Sequence, residues 1–220
     1  CRMTLKELKK QLDEGFMEVK RGCMIAVSAI SNIGDKILLS NGEEICYTKR
    51  KKKALREELQ KKQELMIAKI SKKKLPLTPE EYGKYYKICD GLPFAFTDIE
   101  MVFNEEKKAV DWIFRYGNEA LATLEKLPLD KMIGNSFSSL FSNMDAKWLH
   151  VYERATLYGE TLEIMDYSPE IDTNLKIICF PTFPGHCGCI LFNADQMKSI
   201  SEENYLVRLV EVSMKNNSSK

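Results

Sequence analysis

The sequence predicts an α+β protein. A five-stranded antiparallel sheet with helices on one face is expected over residues 79–195, behind a basic, mostly helical region at 1–78. Three observations carry this expectation. Apolar residues change near residue 91 from helical spacing to short runs broken by Pro, Gly and Asn. Residues 80–195 then read helix, strand, strand, short helices, a longer helix and three strands, an order that builds a layered domain. Charge divides near the same point. Residues 1–78 hold 19 Lys/Arg against 10 Asp/Glu and the remainder 14 against 22, beneath a net charge of only +1.

Size and composition fit one or two globular domains: 220 residues, 44% apolar and 30% charged. The longest apolar run, Cys23 to Ile30, is too short to span a bilayer and contains Ser28, so no membrane insertion is expected. Seven cysteines without a disulfide-framework spacing point to a reducing cytoplasm. The chain opens on Cys1, which suggests a fragment or a processed product.

Taken in order, residues 4–21 read as an amphipathic helix. Thr4 and Glu7 form a capping box, and Leu5, Leu8, Leu12 and Val19 form a stripe interrupted by Gly15. A dimerising helix and simple packing on its own domain both fit. Residues 36–47 predict a hairpin about Asn41-Gly42. Residues 49–74 predict a long helix opening on the cations Lys49, Arg50, Lys51, Lys52 and Lys53, and ended by Pro76 and Pro79. Such a helix can be a linker, a coiled coil, a solvated face or a nucleic-acid contact. Thr78-Pro79-Glu80-Glu81 starts the next helix, which stops near Asp90-Gly91. Strands are expected at 94–103 and 109–116, a helix at 145–158, strands at 161–167, 175–183 and 187–193, an exit helix at about 195–214 within a 196–220 segment, and a frayed tail.

The stretch WIFRYGNEALATLEKLPLDKMIGNSFSSLF at 112–141 resembles the strand, Asn, helix and Gly-containing loop of PAS sensory domains, with Asn118 and Gly134 at matching positions. AKWLHVYERATLYGETLEI and CGCILFNAD look like that family's connecting helix and last strand. The likeness is nearest to modules beside bacterial diguanylate cyclase and histidine kinase domains, and covers about half of the chain; residues 1–78 carry none. It departs at Asn193-Ala194-Asp195-Gln196, where the family often has Asp-Ile-Thr. The resemblance implies a cytoplasmic bacterial sensor in signal transduction, with a ligand-binding pocket between sheet and helices. Phe114, Tyr116, Phe137, Phe141, Trp148 and Tyr152 are candidate lining residues, and core packing is their alternative.

No cofactor is named by the residues. His150 stands where haem-binding relatives place their iron ligand, but Glu153 and Arg154 put it on the polar side of its helix. Glu119 to Lys126 has no Cys for a flavin adduct. Cys179, His186, Cys187 and Cys189 hold zinc-type donors, yet strand alternation puts Cys187 and Cys189 on one face and His186 on the other. Redox chemistry at those thiols stays open. No phosphate loop, nucleophile elbow or metalloprotease motif occurs, and no metal site or enzyme activity is expected. The leading expectation is a non-catalytic, homodimeric sensory module relaying a ligand or partner state through flanking helices to an output domain or partner protein. The alternatives are a regulator contacting nucleic acid through the basic 49–74 helix, and the sensory fragment of a diguanylate cyclase or histidine kinase.

Overall fold

A computed structural model describes residues 4–12, 15–73, 77–105, 108–142 and 145–197. The chain divides into two compact units, Cys1–Lys73 and Lys74–Lys220.

Unit 1 begins with α1 (Leu5–Gln11), held by the reciprocal capping box of Thr4 and Glu7. The helix expected to reach residue 21 stops here. Phe16-Met17-Glu18-Val19-Lys20 alternates apolar and polar, and that period of two wins. It forms β1 (Phe16–Lys20), with Met17 and Val19 almost wholly buried. A turn at Arg21-Gly22, where Gly22 takes φ +81°, returns the chain into β2 (Cys23–Ala26), antiparallel to β1. A second antiparallel sheet follows in the order β3 (Ile30–Ile33), β4 (Ile37–Leu39), β5 (Glu44–Ile45). The mostly helical N-terminal region is thereby corrected. Five short strands stand between α1 and α2 (Lys52–Lys73), because Ile25, Ile30, Ile33 and Ile37 bury more surface in sheets than a helix would allow them. The hairpin strands β4 and β5 pair Ile37 with Ile45 across Asn41-Gly42. α2 lends this core only Leu55 and Ile67 as fully buried side chains, which leaves most of its surface to solvent.

Unit 2 is α+β. Thr78 caps α3 (Pro79–Tyr85), again through a capping box, here with Glu81. A five-stranded antiparallel sheet runs β7-β6-β10-β9-β8. Its strands are β6 (Ala95–Phe103), β7 (Ala109–Gly117), β8 (Leu162–Ser168), β9 (Thr173–Pro181) and β10 (His186–Asn193). Between β7 and β8 lie α4 (Glu119–Glu125), α5 (Leu129–Met132), α6 (Phe137–Leu140) and α7 (Ala146–Tyr158). The short α8 (Ala194–Met197) follows β10; the rest of the expected exit helix and the tail lie outside the described residues.

Helices cover both faces of this sheet, not one. Ala95, Ile99 and Met101 of β6 join Leu121, Met132, Phe137, Trp148 and Tyr152 in the main core. The alternate residue Phe96 points the other way, packing with Tyr116 and with Tyr82 and Tyr86 of the α3 segment. Tyr85 and Ile88 of that segment stay exposed, because only the i, i+4 pair of tyrosines reaches the sheet. Among the described residues, no helix is long and apolar enough to cross a membrane.

Candidate nucleic-acid interface

The basic run is built by a local conflict. Thr48 leads into a 3-10 turn over Lys49–Lys51 without a side-chain cap, and α2 follows with no acid in its first turn. A helix start favours acids and disfavours cations, since unpaired N–H groups and the macrodipole make it positive. Here five consecutive cations crowd that end. They oppose the charge preference of the helix start.

The cations divide by role. Lys52 Nζ lies 3.2 Å from Asp35 Oδ1, and Arg56 Nε donates to the Ile33 carbonyl at 2.9 Å, which ties the helix start to the β3–β4 turn. Lys53 makes a loose i, i+4 pair with Glu57 at 3.9 Å. Lys49, Arg50 and Lys51 are exposed, and no hydrogen bond or ion pair holds their side chains among the described residues. Lys49, Arg50, Lys52, Lys53 and Arg56 line one open surface cleft with Glu57 and Gln60. The nearby acids are already partnered. Hydrogen bonding from Lys52, and then the charges of Lys52 and Lys49, hold the Asp35 carboxyl below its usual range; Lys9 does the same for Glu18, with Lys51 adding to it. Lys20 and Arg21 stand exposed at the β1–β2 hairpin tip, a second basic element that the helical reading of 4–21 had hidden.

The remaining candidates lie in unit 2. Phe114, Phe137, Trp148 and Tyr152 line one small, partly open chamber. Tyr116 does not: it lies on the other sheet face, with its hydroxyl donating to Asp90 at 2.6 Å. Phe141 stacks on Phe137 at 4.6 Å behind the chamber wall. The chamber measures about 30 Å³, room for a water or two and not for an organic ligand. Asn118 shapes backbone: it accepts from the amides of Phe96 and Leu121 and donates to the carbonyls of Cys89 and Phe94, at 2.9–3.0 Å. Gly134 turns with φ +87°, and its amide donates to the Phe114 carbonyl. His150 is exposed on α7 and does not line the chamber.

Cys187 and Cys189 share the core face with their sulfurs 3.8 Å apart, and His186 points to the opposite face. There it meets a buried network that the sequence did not reveal. Asp98, fully enclosed, accepts from Tyr86 at 2.7 Å and Thr182 at 2.5 Å, and lies 2.6 Å from His186 Nδ1. Arg115 pairs with Glu100 at 2.6 Å beside it. The available signal was Asp98 and Glu100 alternating within an otherwise apolar strand. Among the described residues, no group of three or more His, Cys, Asp or Glu is placed to hold a metal ion.

A family model, the LytTr DNA-binding domain, matches residues 1–60. No curated protein matches the chain. These findings correct the expected family. No PAS model matches, and the expectation of a PAS sensor with a ligand-binding pocket is withdrawn. The physical reason is that strand order, an Asn cap and a turning Gly serve any sheet of this shape, so they identify architecture and not a family. The matched segment holds both sheets of unit 1, the basic turn and the first turns of α2, and it is similar to a LytTr DNA-binding domain.

Proposed function

We propose that the chain is a regulator that contacts DNA through unit 1, with the cations of Lys49–Lys53 as its phosphate-binding element. One observation carries this reading: five consecutive cations at the uncapped start of α2 fall within the stretch similar to a DNA-binding domain. The chemistry agrees. Helix-start N–H groups and mobile ammonium and guanidinium groups are the usual phosphate donors, and they fix position without reading sequence. Base readout then falls to other parts of the matched unit.

Fluorescence anisotropy of a labelled mixed-sequence duplex, titrated with the full chain at low and moderate salt, tests the proposal. Micromolar or tighter binding that weakens steeply with salt is expected, with phosphate contacts alone giving a Kd of about 10⁻⁴–10⁻⁶ M at physiological salt. An absence of binding at low salt would remove the reading.

A further inference from the structure

The chamber in unit 2 is chemically unbalanced. Its walls are the rings of Trp112, Phe114, Phe137, Trp148 and Tyr152, yet two carboxyl groups open into it, Glu125 from the end of α4 and Glu170 from the turn between β8 and β9. Glu170 Oε2 accepts from Ser168 Oγ at 2.5 Å, while its Oε1 is buried without a hydrogen-bond partner among the described residues. Among the described residues, no Lys, Arg or His lines the chamber. Lys126, next to Glu125 in the chain, donates instead to the Ile171 carbonyl at 3.2 Å. The other ionisable groups on the wall are Tyr152 from α7 and Cys189 from β10, and burial holds both in their neutral forms. Thr97 of β6 and Ser168 of β8 add only neutral hydroxyls.

A carboxylate that shares an apolar space with a second one is costly to ionise. At about 30 Å³ the chamber has no room for an organic counterion. We propose that Glu125 keeps its proton in this chamber, beside the Glu170 carboxyl, and that losing it loosens the end of α4 from the β8–β9 turn, making unit 2 a pH-sensitive element. Burial first, and then the Glu170 charge, push the Glu125 carboxyl up to about 7. A carboxyl raised in the folded state favours that state below its ordinary value of 4.5 and loses the advantage as pH rises through about 7.

The molecule carries its own reporter. Its two tryptophans, Trp112 and Trp148, both line the chamber. The test follows tryptophan fluorescence and the side-chain carboxyl carbon resonances of ¹³C-Glu-labelled full chain as pH is raised. The expected result is one carboxyl titrating at about pH 7 with a matching fluorescence change, both absent in Glu125→Gln. In Glu170→Gln the midpoint should fall but stay above 4.5, because burial remains. A wild-type midpoint in the ordinary carboxylate range would overturn the proposal. So would a midpoint unmoved by Glu170→Gln, or one that follows potassium when it replaces choline at constant ionic strength, which would identify a bound cation in place of the proton. Should Glu125→Gln fail to fold, the wild-type titration and Glu170→Gln still decide.

Discussion

Changing Lys49, Arg50 and Lys51 together to Gln removes three exposed cations that no acid in the described structure holds by hydrogen bond or ion pair. If each touches one phosphate, the slope of log K against log salt becomes shallower by about 2.7. Between about 50 and about 200 mM salt, the variant should then lose roughly 40-fold less affinity than the wild-type chain. The design separates binding from folding. These cations lie against the positive start of α2, where they oppose the helix, so their removal should leave the melting temperature unchanged or slightly raised. A charge-matched control, Lys84, Lys87 and Lys131 to Gln, takes the same three charges from exposed positions of unit 2 and should leave the slope alone. Anisotropy across a salt series measures both variants. Equal slopes for the wild-type chain and the Lys49–Lys51 variant, or equal shifts in variant and control, would refute the placement of the interface.

Other consequences follow from unit 2. Asn118→Ala should destabilise it by about 3 kcal/mol or more in urea unfolding, since two buried amides and two carbonyls lose their partner. A midpoint near that of the wild type would show that water replaces the amide. In Gly188→Ala, the new methyl would stand 2.8 Å from Thr182 Cγ2 and 2.9 Å from the Phe180 ring, for a cost of about 1–3 kcal/mol by thermal denaturation. Thiol labelling of the native chain should modify exposed Cys46 early and leave Cys179 and Cys189 untouched until unfolding. Contact with Cys187 and burial raise the first of these buried thiols, and burial raises the second. Labelling of either at the rate of Cys46 would reopen redox chemistry there.

Unit 2 was legible because its signals are local. Thr78-Pro79-Glu80-Glu81 is a helix start that needs no tertiary partner, and Asn118 caps α4 through an amide three residues on. Unit 1 was misread where two periods compete. Leu5, Leu8, Leu12 and Val19 suit a helical stripe, but the strand β1 buries Met17 and Val19 against β2, a pairing that only the fold supplies. The same limit explains the candidate pocket. Aromatic side chains at helix and strand spacing cannot tell a packed core from a cavity, and the difference here is the depth to which Trp112, Phe137 and Tyr152 interlock.

By itself, the sequence determined the division of charge, the cation run at the start of α2, the capping box of α1 and the order of elements in unit 2. Each of these is a property of neighbours along the chain. Only the tertiary structure decided that Asp98 and His186 meet across 88 residues of separation, that Glu125 and Glu170 face one chamber, and that Tyr116 leaves it for the other side of the sheet. Such contacts depend on strand register and on which face of a strand is buried, and a shift of one residue would reverse them all.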